Sequence, residues 1–180
     1  NTYEQQMGDR NSMSKTDPDA TFMRMKEDHM LNGQLKPGYN LQAATNNQFI
    51  ANYTLAQTTA DTTTLIDHTE DFIEGYGKPP EILTADAGYG SDENYTYLED
   101  KNIEAFVKYN YFHKEQLDEK RGKTKKPFAA DKLFYNNDTD TYYCPMGQPM
   151  ENIGSYIRKT ATGYQQKIER YQAKNCSGCQ

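Results

Sequence analysis

The sequence has no tryptophan, only three cysteines and three histidines, no excess of positive charge and no long apolar run. Each shortage excludes something. Nothing approaches the ~20 consecutive apolar residues that a bilayer-spanning helix needs, so no membrane segment is expected. No basic flank followed by an apolar stretch opens the chain, so nothing reads as a signal peptide. The histidines, His29, His68 and His113, are scattered without a Cys or Ser partner at a recognisable spacing, which leaves a nucleophilic triad unsupported. Gly88-Tyr89-Gly90 lacks the Lys-Ser/Thr or third glycine of phosphate-binding and dinucleotide-binding loops. A formal net charge of −6 argues against a clamp that holds nucleic acid by bulk electrostatics. It leaves room for an acidic centre in which carboxylates hold divalent cations.

What is present is tyrosine. Hydrophobic residues make up 35% of the 180, and 15 Tyr and 7 Phe carry much of that share. Tyrosines pack their rings while keeping the hydroxyl wet, so the expected core is aromatic and partly polar. Residues 1–16 are polar and read as a linker or lead-in. Asp17-Pro18-Asp19 signals a turn, with Pro18 placed to begin a short helix over Thr21–His29, and Gly33 and Lys36-Pro37-Gly38 break the chain. Tyr39–Thr45 and Gln48–Gln57, separated by Asn46-Asn47, predict a β-hairpin, because an Asn pair tolerates the positive φ of a tight turn. Asp61 is placed to cap a helix through Leu65, Ile66, Thr69, Phe72 and Ile73, ended by Gly75, Gly77 and Pro79-Pro80. A strand over Glu81–Ala85, a helix begun by Ser91 and a strand over Ile103–Val107 complete a pattern of helices over a mixed sheet.

The composition changes after about Tyr109. Lys120–Lys126 places five positive charges in seven residues and reads as a loop, either DNA-contacting or simply solvated. Leu133–Tyr143 and Tyr156–Tyr171 suggest short antiparallel strands, with turns at Asn137-Asp138 and Thr162-Gly163. The expected organisation is therefore a lead-in over 1–16, an α/β core over 17–112 and a β-rich insertion over 113–180. The chain lacks an initiator Met and stops within a cysteine cluster, features expected of an internal piece of a longer protein.

Asp86 is the leading candidate for chemistry. It follows the apolar strand Ile82-Leu83-Thr84-Ala85 and precedes Ala87-Gly88-Tyr89-Gly90. Functional groups in open α/β sheets gather at the carboxyl ends of strands, and a glycine-rich turn lets a phosphate or metal approach. A turn or capping role for Asp86 remains open from position alone. Asp17, Asp19 and Asp61 read as turn or cap residues, and Glu93 and Glu99 as a solvated helix face. Lys36, in the turn before the hairpin, and Lys108, after the last core strand, are candidate phosphate contacts, with plain solvation as the alternative. Tyr89 is placed to stack on a distorted base or to pack in the core.

Thr16-Asp17-Pro18-Asp19-Ala20, Lys36-Pro37-Gly38-Tyr39-Asn40, Ala85-Asp86-Ala87-Gly88-Tyr89-Gly90-Ser91 and Val107-Lys108-Tyr109-Asn110 together resemble DDE-type transposases of bacterial insertion sequences. The likeness runs from about Ser12 to Gln180 and is greatest to the group whose catalytic core carries a cysteine-containing β insertion. It implies a partial ribonuclease-H-like core, a mixed sheet with flanking helices, followed by a small β-rich, zinc-ribbon-like insertion. It further implies two Asp and one Glu around two Mg²⁺ or Mn²⁺ ions, with Asp86 matching the second Asp. The first Asp is then expected upstream of Asn1 and the Glu downstream of Gln180, so that the chain alone would be inactive. DNA ends and target DNA are the implied partners, self-association is expected of the intact protein, and the implied location is the bacterial cytoplasm, at the nucleoid when acting.

Cys176-x-x-Cys179 has the chelate spacing of a zinc knuckle, and Cys144-Pro145-Met146-Gly147 resembles half of another. Three thiolates are one ligand short of a closed structural site, and the resemblance implies further cysteines beyond Gln180. Free thiols or a Cys176–Cys179 disulfide remain alternatives. Two other classes of function stay open beside the enzyme: a non-catalytic zinc-ribbon module binding DNA or a subunit, and a degenerate element.

Overall fold

A computed structural model describes residues 7, 12–25, 30–123 and 128–176. The chain divides into two compact units, Asn1–Asn110 and Tyr111–Gln180. No helix among the described residues is long and apolar enough to cross a membrane.

The first unit opens with strands β1 (Thr21–Arg24) and β2 (Leu35–Gly38), paired antiparallel with Phe22 opposite Pro37. The helix expected from Thr21 is thus a strand over its described part; residues 26–29 lie outside the described residues. Lys36-Pro37-Gly38 does not break the chain but forms β2, on a two-stranded edge where the missing proline N–H leaves no central ladder incomplete. The Asp17-Pro18-Asp19 turn is present: an Asp17 carboxylate oxygen accepts the Asp19 N–H at 3.2 Å and both its oxygens accept from the Tyr39 hydroxyl.

β3 (Asn40–Asn46) and β4 (Phe49–Ala56) form the expected hairpin. Its turn is Asn47 and Gln48, with φ of 49° and 71°, one residue later than the expected Asn46-Asn47, because Asn46 stays paired with Phe49. Two positive φ values in succession give a loop whose twist matches that of the strands it joins. Helix α1 (Leu65–Tyr76) follows and stops at Gly77, whose left-handed φ of 71° closes the last turn. Its outer end is tied to the hairpin by the Tyr76 hydroxyl, which donates to the Ala51 carbonyl at 2.9 Å, with Phe72 stacked on the Tyr76 ring.

β5 (Ile82–Ala85) and β6 (Glu104–Val107) pair in parallel, joined by α2 (Asp92–Asp100). Ser91 caps α2 as expected, accepting the Asn94 N–H at 3.2 Å. The small core is Leu65, Leu98 and Ile103, with Leu83, Ala85, Tyr89, Tyr97 and Val107 packed around it. The Glu70 carboxylate links α1 to α2, taking the Tyr97 hydroxyl at 2.9 Å and the Lys101 ammonium at 2.7 Å.

The expected order of elements is therefore present, but the single mixed sheet is not: hairpin and parallel pair are separate sheets among the described residues. Between them lies a cleft of about 690 Å³, lined by Ala43–Asn46 of β3, Thr69, Phe72 and Tyr76 of α1, and Ile82–Thr84 of β5.

His68 lines this cleft and shares a 2.8 Å hydrogen bond with the Thr54 hydroxyl. Burial pushes its pKa below the ordinary 6.5, against the opposing pull of Asp71. The unfolded chain therefore takes up this proton first, and the stabilisation is present above pH 6.5 and lost as pH falls through the folded value. Scanning calorimetry is expected to show the first unit melting earlier as pH is lowered from 7 towards 5.5, and His68→Gln is expected to flatten that part of the profile. An unchanged profile in the variant would mean that His68 is not its source.

The second unit begins with a helix that the composition did not suggest, α3 (Phe112–Lys120). It takes in the first residue of the basic run that reads as a loop, and Lys123 pairs with Asp118 at 3.0 Å; residues 124–127 lie outside the described residues. β7 (Phe134–Asn136), β8 (Thr141–Tyr143), β9 (Pro149–Lys159) and β10 (Gln165–Ala173) then make a four-stranded antiparallel meander. Its packing is aromatic and partly polar, as the tyrosine content implies. The Tyr135, Tyr142 and Tyr171 rings cluster, and the Tyr171 and Tyr135 hydroxyls donate to Asp140, holding its carboxyl below the usual carboxylate range.

Candidate active site

Asp86 sits where the sequence puts it, one residue past β5, at the carboxyl end of a parallel pair. Its backbone is extended, and Ala87–Tyr89 form a single 3-10 turn capped by its own side chain, which accepts the Gly88 N–H at 2.7 Å. Asp86 is thus a cap and also an exposed strand-end carboxylate. One oxygen fixes the turn, and the side chain as a whole stays exposed.

A second carboxylate lies close by. A Cβ placed on Gly88 would stand 2.9 Å from an Asp86 oxygen and 3.1 Å from an Asp61 oxygen, so the two acids flank one glycine. Asp61 does not cap α1, as its place before the helix suggests. It begins a 3-10 turn, Asp61–Thr63, makes no cap bond for α1, and accepts from the Asn40 side chain at 2.8 Å. The strand residue competes for the carboxylate and turns it towards Gly88. Asn40 in turn accepts from Gln42 at 2.9 Å, and Gln42, 2% exposed, accepts the Tyr89 hydroxyl. Burial raises the Tyr89 pKa, and the negative charges of Asp61 and Asp86 raise it further.

The turn is held from behind by Asn94, which is 1% exposed. Its amide donates to the Tyr89 carbonyl at 2.7 Å and the Thr62 carbonyl at 2.9 Å, clamping the Asp86 turn to the Asp61 turn. Gly90 lies under the chain leaving β6: a Cβ there would meet the Lys108 carbonyl oxygen at 2.5 Å and Asn110 Oδ1 and the Tyr95 hydroxyl at 2.7 Å. Lys108 is thereby brought beside the Asp86 loop, exposed. Tyr89 packs on the core rather than standing free. Lys36 lies within β2, opposite Met23, not in a turn.

The remaining sequence candidates are the cysteines. Cys144 follows β8 in a tight turn, where its sulfur lies 3.4 Å from the Gln148 nitrogen that donates to it, and Cys176 is exposed. Cys179 lies outside the described residues. Among the described residues no three His, Cys, Asp or Glu side chains are grouped to hold a metal ion. Asp86 and Asp61 offer hard oxygen donors of the kind Mg²⁺ and Mn²⁺ prefer, but supply only part of an octahedral shell.

An exposed carboxylate at the carboxyl end of a parallel strand stands where open α/β sheets place their ligand sites. The chain belongs to the transposase DDE domain family, whose model matches residues 10–170. Comparison with curated proteins and with solved structures finds no match.

Proposed function

We propose that this chain is part of an insertion-sequence transposase catalysing metal-dependent phosphodiester cleavage and strand transfer, with Asp86 as one carboxylate of the centre. The observation that carries this is the pairing of Asp86 and Asp61 around Gly88, on a turn clamped from behind by Asn94. Asp86 and Asp61 hold the cations, and Lys108 meets a DNA phosphate nearby. Divalent ions held there would supply Lewis-acid activation of the attacking water or 3′-hydroxyl and stabilisation of the leaving oxygen. The chain's own residues orient the carboxylates and keep the turn open, since Gly88 leaves space where any side chain would intrude.

The missing ligands, an aspartate and a glutamate, are supplied by parts of the polypeptide outside these 180 residues. Support comes from the cleft, where the edges of β3 and β5 are without a strand partner among the described residues. A strand inserted there would unite hairpin and parallel pair in the mixed sheet that the family resemblance implies. The intact protein would act on DNA in the cytoplasm and self-associate.

Mn²⁺ titration of the chain, followed by amide NMR, tests the site. Paramagnetic broadening is expected first at Gly88 and its neighbours, and is expected to vanish in Asp86→Asn while the spectrum elsewhere stays folded. Broadening that ignores the substitution would remove Asp86 from the centre.

The cysteines favour an added structural role. An N–H donated to Cys144 is suited to a thiolate in half a zinc knuckle, which Cys176 and Cys179 would complete with a fourth ligand from outside these residues.

A further inference from the structure

We propose that the β9–β10 ribbon of the second unit is a duplex-DNA-binding element that grips the sugar-phosphate backbone through Arg158 and Arg170 on one face and Lys159, at the end of β9, on the other. The proposal rests on the transposase reading only for its choice of DNA over other polyanions.

Charge is divided unevenly along the chain. Asn1–Asn110 carries 8 Lys and Arg against 18 Asp and Glu, whereas Tyr111–Gln180 carries 12 against 8. The net acidity therefore belongs wholly to the first unit, and the second is basic. A DNA duplex is a polyanion, so of the two units the basic second one is where electrostatics would draw it.

The geometry then selects the ribbon. β8 pairs with β9 only at Pro149, Met150 and Glu151, while β10 follows β9 to Lys159. Beyond Asn152 the two strands run on alone as a two-stranded ribbon roughly 20 Å long at the usual rise per residue. A ribbon of that width fits the major groove of B-form DNA.

Cross-strand partners share a face. Arg158 opposite Gln166 and Tyr156 opposite Ile168 lie on one; Lys159, Ile157, Lys167, Ser155 and Glu169 lie on the other. A register shift between Glu169 and Tyr171 releases Arg170, whose guanidinium sits 5.7 Å from the centre of the Tyr156 ring. The Tyr156 face of the free ribbon thus presents two guanidinium groups flanking an aromatic ring and no acid. The Lys167–Glu169 ion pair, at 2.6 Å, is spent on the opposite face. Arg158, Lys159 and Arg170 are exposed and have no carboxylate partner among the described residues, and Arg158 Nη2 lies 2.5 Å from Gln166 Oε1, which orients it. By contrast, in the basic run that begins at the end of α3, Lys123 is paired with Asp118 of that helix.

The ribbon touches phosphates, which set position and affinity without reading sequence. Fluorescence anisotropy of the 180-residue chain with a labelled duplex of mixed sequence, across a salt series, tests this. The variant Arg158→Ala/Lys159→Ala/Arg170→Ala is expected to bind at least tenfold more weakly. Its log–log salt slope is expected to be shallower by roughly 2 to 3, about one for each phosphate no longer neutralised. Arg158→Lys/Arg170→Lys keeps the charge and is expected to keep the slope.

No duplex binding by the unaltered chain, or an alanine variant with unchanged affinity and slope, overturns the proposal. So does a charge-preserving variant that loses binding as the alanine variant does, since charge is then not the cause. Equal competition by an RNA duplex would make the ribbon a general polyanion surface and overturn the assignment to DNA. Loss of the Mn²⁺ signal's dependence on Asp86 with ribbon binding intact would overturn the catalytic reading alone.

Discussion

Gly90→Ala is expected to destabilise the first unit by about 3 kcal/mol, in the range of severe single substitutions. The added methyl would lie 2.5 Å from the Lys108 backbone oxygen, closer than Cβ atoms come to non-bonded heavy atoms, and 2.7 Å from two further oxygens. Rotating a side chain relieves the clashes with Asn110 and Tyr95 but not the one with the backbone. The chain after β6 must therefore move away from the Asp86 turn, taking Lys108 with it. Thermal unfolding is the direct check, with a fall on the order of 10 °C expected for a unit of this size. A fall of only a degree or two would mean that the loop after β6 yields easily.

Asn94→Asp is expected to be as damaging at neutral pH and markedly milder in acid. The change is isosteric, but it replaces the donor to the Tyr89 and Thr62 carbonyls with an acceptor, at a position 1% exposed. An ionised carboxylate there would face two carbonyl oxygens without water, a cost of roughly 3–5 kcal/mol. The folded state therefore holds the new carboxyl protonated, with a pKa raised above its unfolded value of about 3.9. Stability relative to wild type is then greatest below that unfolded value and is lost as pH rises through the folded one. Denaturation of both proteins at pH 4 and pH 7 measures the difference. A gap between them that is the same at both pH values would show that the carboxyl titrates alike in the folded and unfolded states, and that the missing hydrogen bonds alone explain the cost.

The parts of this molecule legible in the sequence are those set by local rules. Asn46-Asn47 between two strand-forming runs marks the hairpin, Ser91 followed by two acids marks the start of α2, and a glycine after the periodic run marks the end of α1. Asp86 at a strand end is legible for the same reason. The rest depends on partners distant in sequence. Thr21–Arg24 becomes a strand because β2 is there to pair with it, and Pro37 is tolerated because that pairing is an edge. Asp61 is indistinguishable from a cap until Asn40, 21 residues earlier, takes its carboxylate. Nothing in the identity of Asn94 announces that it will be buried as a clamp. The polar run Phe112–Lys120 has little amphipathic pattern to mark it as a helix. The register shift that frees Arg170 follows from how two strands align, which neither strand states by itself.

The cleft between hairpin and parallel pair also bears on how the chain behaves in a tube. Open strand edges are templates: their unsatisfied N–H and C=O groups accept any extended segment that comes near, including one from another copy. Nature commonly blunts such edges with proline and charge, and here Lys78, Pro79, Pro80 and Glu81 line the cleft beside β5. The β3 wall offers Ala43, Ala44, Thr45 and Asn46, small or neutral residues that discourage nothing. The β3 edge is therefore an undefended wall at high concentration, and a charged side chain at an exposed position on it is expected to help keep samples monodisperse.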